Sequence, residues 1–412
     1  MPRTYLFIHQ NFPGQFVHIA AALAAAGHRV VALGITGRNV PGVQYVRYEP
    51  AQPAGGAPVR GDLAAKLVRA EGCASAMLAL KAQGLQPDVI VAHPGWGEAL
   101  FCKDVWPQTR LVVFAEFYYT VDGSDYAFDP EFQTDTPAGR MRLRLKNTAL
   151  LHALAAADAA YAPTHWQKSQ VPAEFQHKVE VIFDGIDTQQ VKPAAGVQVR
   201  LKRDNLALSR DDEVITFVNR NLEPYRGFHS FMRALPAMLA RRPRAHVLIV
   251  GRDGVSYGSR PKGGGSWKDA MLREVGANLP VDRVHFLGPL PYAQYLQVLQ
   301  ISTCHVYLTY PFVLSWSCLE SMSAGNVVVA SDTAPVREVI DDGRNGLLTG
   351  FFDAPALADR VADVLAAPGD YASLSAAARA DVQARYDLKS VCLPQLMRFI
   401  GANQPVKRFI NT

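Results

Sequence analysis

Residues 310–332 read YPFVLSWSCLESMSAGNVVVASD. The stretch parses as a strand end, a loop, a short helix closed by Gly325, and a second strand over 326–330. Glycine suits the left-handed turn past a helix end. A strand such as NVVVA, apolar after its first residue, fits a parallel sheet covered on both faces. The helix carries one carboxylate, Glu320, and its entry carries Ser315, Trp316 and Ser317.

The same rhythm extends outward. Short apolar runs at 213–218, 246–250, 283–287 and 304–308 alternate with helical stretches such as 227–240. Upstream, strands are expected at 5–8, 28–34, 88–92, 110–115, 159–162 and 179–182, with helices at 15–26, 62–83 and 140–157. This pattern predicts an α/β chain of two doubly wound domains. Residues 188–212 are polar and Pro-bearing and read as a linker. The expected division is 1–195, 196–385, and a helix in 386–412 that crosses back to the first domain, with Pro394 as a kink point. Ligands in such sheets bind beyond the carboxyl ends of the strands, so the chemistry is expected in a central cleft faced by both domains.

Bulk properties narrow the function. A length of 412 residues with 49% hydrophobic and 19% charged content supplies two buried cores. A net charge of +5 is mildly basic, and no motif resembles an RNA or DNA module, so no nucleic-acid partner is expected. Five scattered cysteines without a CxxC pair read as reduced core thiols of a cytoplasmic protein, not as zinc ligands. The first ten residues hold too short an apolar run for a signal peptide, and no stretch has the length of a transmembrane helix. Arg140, Arg142, Arg144 and Lys146 alternate with apolar residues. They form either a solvated helix face or a peripheral contact with anionic lipid at the inner face of the membrane.

Six places carry candidate chemistry. In FVNRNLEPYRG (217–227), Arg220 and Arg226 flank a strand end and a helix start. They are either a diphosphate-binding pair or solvated surface charges. In VHFLGP (284–289), the turn at Leu287 and Gly288 either admits a flat ligand or is a plain turn. Ser315–Ser317 begin a helix whose N–H groups suit phosphate. Ser317 and Glu320 also have the spacing of a capping box, which would turn the carboxylate back onto the helix. Gly14, in HQNFPG, lies in a turn after the first strand. His93 and Glu116, each after a strand, are proton-handling groups or satisfied strand-end residues. Gly251 and Arg252 open a glycine-rich loop to 265 that is either phosphate-facing or a flexible insertion. There is no paired Asp motif at a strand end, no metal cluster, no nucleophile elbow and no dinucleotide fingerprint. These gaps speak against metal-dependent transferases, serine hydrolases and nicotinamide dehydrogenases.

Taken together, five strings in order resemble glycosyltransferases of family four: VIFDGID (181–187), NR…RG (219–227), VHFLG (284–288), LESMSAG…VVASD (319–332) and REV…NGLL (337–348). The resemblance implies a GT-B fold of two Rossmann-like domains and a metal-independent, retaining transfer from a nucleotide-diphosphate sugar, UDP- or GDP-linked. No cofactor beyond that donor is implied. It implies that Arg220 and Arg226 hold the diphosphate, Glu320 the ribose, and Leu287 and Gly288 the base. Ser315–Ser317 would cradle phosphate or sugar, Gly14 would approach the reacting centre, and His93 or Glu116 would meet sugar or acceptor. The acceptor is a glycan, a lipid-linked molecule or a protein. The chain departs from the family where Phe312 replaces a glutamate, Ser315 a glycine and Arg226 a lysine. The strings HQNFPGQF and EFYY mark an atypical subgroup. Two alternatives stay open: a catalytically silent nucleotide-sugar binder, motivated by Phe312, and an epimerase or phosphorylase on the same fold.

Overall fold

The computed structural model describes residues 2–51, 58–201 and 206–402. They form two units. The first runs to Gly185 and resumes at Lys389; the second is Ile186–Leu388. The first crossing falls ten residues before the expected one because the chain beyond Gly185 is tied to the second unit. The Ile186 N–H donates to the Tyr386 carbonyl at 2.8 Å, and Arg379 donates to the carbonyls of Thr188 and Val191 at 3.2 and 3.1 Å. The expected linker also belongs to this unit and contains an antiparallel pair, Val199–Leu201 with Leu206–Leu208.

The first unit is built on seven parallel strands: β1 (Thr4–Ile8), β2 (Arg29–Gly34), β3 (Val43–Arg47), β4 (Val89–Ala92), β5 (Arg110–Phe114), β6 (Ala159–Ala162) and β7 (Val179–Val181). Their order is β3-β2-β1-β4-β5-β6-β7. The second unit has β8 (Val214–Asn221), β9 (His246–Arg252), β10 (Val284–Gly288), β11 (Cys304–Tyr307), β12 (Val327–Ser331) and β13 (Leu347–Thr349), in the order β10-β9-β8-β11-β12-β13. Both sheets therefore reverse direction once, between β1 and β4 and between β8 and β11. Side chains alternate across the first sheet. Tyr5 and Phe7 pack with Phe16, Ile19 and Leu23, while Leu6 and Ile8 pack with Met77, Leu150 and Leu154 on the other face. The edge strands β3 and β13 were not among the expected ones. VQYVR is nowhere fully buried, so it lacks the continuous apolar run of a central strand.

Local chemistry explains the element ends. The helix Val17–Ala25 stops at Gly27, φ 82°, where the His28 N–H returns to the Leu23 carbonyl at 3.1 Å. The expected helix over 140–157 is two, Pro137–Lys146 and Thr148–Ala156. They break at Asn147, whose amide bonds both the N–H and the carbonyl of Tyr119, at 2.9 and 2.7 Å. All five cysteines are buried free thiols, and burial pushes up the pKa of Cys73, Cys102, Cys304 and Cys318. No helix among the described residues is long and apolar enough to cross a membrane.

The C-terminal segment packs on the first unit. A π-helical turn, Leu388–Cys392, leads into the helix Leu393–Phe399. Pro394 sits in its first turn, where a missing N–H costs little. Leu396 and Ile400 join the Tyr5–Phe7 core. Arg3 and Arg110 donate to the carbonyls of Gly401 and Phe399, at 2.7 and 2.9 Å, placing cations at the helix's negative end. Ile400 is fully buried. Ile400→Ala should destabilise the first unit by about 2–5 kcal/mol in urea denaturation and leave the second unit's transition in place.

Candidate functional site

In the second unit, Arg220 is the next-to-last residue of β8, and Arg226 lies in the turn that follows it. Arg220 is exposed, with no hydrogen bond or ion pair among the described residues. Arg226 is buried and fixed: one of its Nη groups donates to Thr309 Oγ1 at 2.9 Å and to the Val313 carbonyl at 2.8 Å. The turn that places it needs Gly227, φ 66°, because a Cβ there would stand 2.2 Å from the Leu308 Cβ. Gly251 and Arg252 end the neighbouring strand β9, and the Leu222 N–H donates to the Arg252 carbonyl at 2.9 Å. A free cation and a rigid one thus lie six residues apart at a carboxyl end, with the exposed Arg252 on the next strand.

Glu223, between the two arginines, is a residue that sequence reasoning missed. Its buried carboxylate accepts the backbone N–H groups of Ser256, Tyr257 and Gly258 at 2.9, 3.2 and 3.0 Å. The glycine-rich loop is therefore anchored at its tip. The Tyr257 ring lies 5.4 Å from the Arg226 guanidinium carbon and 4.7 Å from the Phe312 ring. Phe312 is buried and also meets Tyr225 edge-on at 5.5 Å. Where the sequence lacks the family's carboxylate, the protein has an aromatic cluster.

The helix Trp316–Ser323 is capped by Ser315, whose Oγ accepts the Ser317 N–H at 3.4 Å. The capping box expected from Ser317 to Glu320 does not form. The Glu320 carboxylate instead accepts the hydroxyls of Tyr292, at 2.7 Å, and Tyr295. Burial raises the Glu320 pKa, and the two phenols pull it back. Leu287 and Gly288 end β10 and lead directly into the helix Tyr292–Gln300 that carries both tyrosines. Trp316, half-exposed, precedes Glu320 by four residues and shares its helix face.

In the first unit, His93 and Glu116 meet: Nε2 and Oε2 are 3.1 Å apart. Glu116 Oε1 accepts the Gln15 amide at 2.6 Å, and Gln15 Oε1 is 2.9 Å from His9 Nε2. Both imidazoles accept a backbone N–H at Nδ1, from Asn11 for His9 at 3.0 Å and from Gly95 for His93 at 3.1 Å. A ring nitrogen that accepts holds no proton. Each histidine is thus neutral and donates through Nε2, His9 to Gln15 and His93 to Glu116. Burial, then the neighbouring His93, lowers the His9 pKa to about 3. Burial would raise the Glu116 pKa, but its interactions with His93, His9 and Gln15, the His93 hydrogen bond foremost, outweigh it and hold the carboxyl below its usual range. Gly14 is obligatory, since a Cβ would stand 2.2 Å from His9 Nε2. His9, Gln15 and Trp96, stacked on His93 at 4.2 Å, complete the cluster. Only the crowding of His9, Gly14 and Gln15 within one short string hinted at them.

The chain has counterparts among known proteins. Residues 26–191 match the family described as "Glycosyl transferase family 4 group", and residues 198–381 match "Glycosyl transferases group 1". The D-inositol 3-phosphate glycosyltransferase of Thermobispora bispora is 26% identical over 202 residues, 49% of this chain and 45% of that protein. The phosphatidyl-myo-inositol mannosyltransferase of Mycolicibacterium smegmatis is 31% identical over 195 residues, 46% of this chain and 45% of that protein. The chain thus spans about half the length of the curated relatives it matches. The structure of HepE from Anabaena, solved with UDP and glucose, superposes with a TM-score of 0.70 at 17% identity, covering 97% of this chain and 100% of that one. That likeness extends the GT-B architecture over nearly the whole chain, and the two consecutive family matches account for both units: the protein belongs to the glycosyltransferases of family four.

Proposed function

We propose that the protein transfers a sugar from a nucleotide-diphosphate donor to an acceptor hydroxyl, with retention of anomeric configuration and without a metal. The observation that carries this reading is the grouping at the carboxyl ends of β8 to β11. Two arginines, a serine-capped helix start and a buried carboxylate there match the parts of a nucleoside diphosphate. Arg220, Arg226 and the helix N-terminus offset the charge that grows on the leaving diphosphate, the task a cation has in other transferases. UDP- and GDP-sugars are the donor class to test, and HepE was solved with UDP. The second unit holds the donor and the first the acceptor.

In the transfer, the acceptor oxygen bonds to the anomeric carbon as the carbon–phosphate-oxygen bond breaks on the same face. The acceptor proton goes to the leaving phosphate oxygen. The neutral histidines support this route, because both lone pairs are already engaged and neither ring is a free base. Glu116 serves as an ionised hydrogen-bond acceptor for a sugar or acceptor hydroxyl. The two curated relatives are named for inositol-containing acceptors, which places such compounds first in an acceptor panel alongside glycans and proteins.

Arg220→Ala and Arg226→Ala should each weaken donor binding at least about tenfold by calorimetry, on the order expected for lost charge-assisted hydrogen bonds; unchanged affinity would remove the diphosphate assignment. NMR of the product should show the donor's anomeric form, at a rate unaffected by EDTA. An inverted product or a chelator-sensitive rate contradicts the mechanism, and binding without turnover over the acceptor panel favours a silent binder. Exposed Arg142 and Arg144 have no ion-pair partner among the described residues, and Met141 between Arg140 and Arg142 is 62% exposed. We expect salt-sensitive co-sedimentation with anionic vesicles, lost on replacing both arginines by glutamate. No co-sedimentation at low salt ends the peripheral-membrane reading.

A further inference from the structure

Resting on the donor reading above, we infer that residues 253–265 are a lid on the diphosphate pocket, that Glu223 latches it shut, and that a donor reaches Arg226 only when it lifts. Arg226 is 6% exposed, so the cation assigned to the diphosphate has almost no surface to offer a ligand in this arrangement. Part of its cover comes from the loop. The Tyr257 ring stands 5.4 Å from the guanidinium carbon. It also meets the Phe312 ring edge-on, and Phe312 is itself 5.6 Å from that carbon. Tyr257 keeps one side in water, at 40% exposed, whereas Phe312 is buried. Tyr257 is thus the outer layer over Arg226, and it belongs to a segment that can move.

The fastenings show how it moves. Both ends of the segment are fixed. A Cβ on Gly251 would stand 2.9 Å from the Asn219 carbonyl oxygen, so the loop leaves β9 in close contact with β8. At the far end, Ser266 and Asp269 cap the helix Trp267–Val275 reciprocally, and the Trp267 indole N–H donates to the Ser259 carbonyl at 2.8 Å. Before that helix, Gly264 and Gly265 have φ of 75° and 72°, and a side chain on Gly263 or Gly264 would meet nothing. The tip between these ends hangs on the Glu223 carboxylate, which accepts the N–H groups of Ser256, Tyr257 and Gly258, and on the Asn221 amide, which donates to Ser256 Oγ. Hydrogen bonds to a carboxylate are strong. Because all three backbone bonds end on one side chain, they are made and broken together. Glu223 is a positioning residue that acts through Tyr257.

The test has two arms, both on the full chain. Hydrogen exchange needs no ligand: the amides of 256–258 exchange only when the tip leaves Glu223. Glu223→Gln keeps the shape and removes the charge. It should speed exchange at these amides at least about tenfold, the order of a lost hydrogen bond to a charged group, while β8 and β12 keep their rates and so report an intact fold. Equal rates at 256–258 overturn the latch. Stopped-flow binding of UDP and of GDP reads the gate. In wild type the observed rate should level off with nucleotide concentration, at the opening rate of the lid, and Glu223→Gln should raise that plateau. Tyr257→Ala removes the cover and leaves the backbone latch. It should speed nucleotide entry with exchange at 256–258 unchanged. A rate that climbs linearly with one slope in all three proteins overturns the gate. Binding to none of them removes the donor reading and the gate with it, a failure distinct from an unlatched loop, which exchange alone reveals.

Discussion

In a parallel sheet every strand is left at the same edge, and right-handed crossovers send the helices to one face or the other. A chain that builds outward from a central strand and then turns to its other side must send the adjacent loops there in opposite directions. The rest of this protein follows from that constraint, applied twice. The connections after β1 and β4 diverge at the first switch point, and those after β8 and β11 at the second. His9 and His93 follow the first pair of strands; Arg220 at the end of β8 with Arg226 just beyond it, and Thr309 to Ser315 after β11, belong to the second pair. Each group of polar side chains is thus brought together by topology, although its members come from distant stretches of the chain.

Burying these groups demands partners for them, and the partners set their chemistry. In the first unit the backbone supplies a donor to each imidazole, and the imidazoles and Gln15 then form a short relay ending on Glu116. The outcome is a charged acid beside two uncharged rings. In the second unit Glu320 is supported by phenols and Glu223 by backbone amides. One acid thereby joins two helices, while the other holds a loop. Both carboxylates are buried; the identity of the donors, side-chain hydroxyls in one case and backbone amides in the other, separates them.

How much of this was legible depended on the range of the interaction. Central strands such as β12, buried at all five positions, announce themselves by uninterrupted apolar runs. The edge strand β3 does not, since one side meets solvent. Glu320 stands out by its place in a motif, yet its partners lie 25 and 28 residues away, and local spacing points instead to Ser317. Two serines two residues apart are both chemically able to cap. The backbone at Ser315, φ −78° and ψ 144°, is the extended conformation that a cap requires. Glu223 escapes a local reading because its three donors lie 33 to 35 residues on. Phe312 reads as a missing acid; only the surrounding rings of Tyr225 and Tyr257 give that position a character of its own.

The buried thiols have a practical consequence. Alkylating reagents attack thiolates that they can reach, and none of the five cysteines offers one in the folded protein. Cys73, Cys102 and Cys392 belong to the first unit, and Cys304 and Cys318 to the second. Timed alkylation read by peptide mass therefore clocks the opening of each unit separately, with no label introduced. A cysteine engineered onto the surface would react ahead of all five, so a dye or spin probe can be attached at one chosen position without removing a native residue.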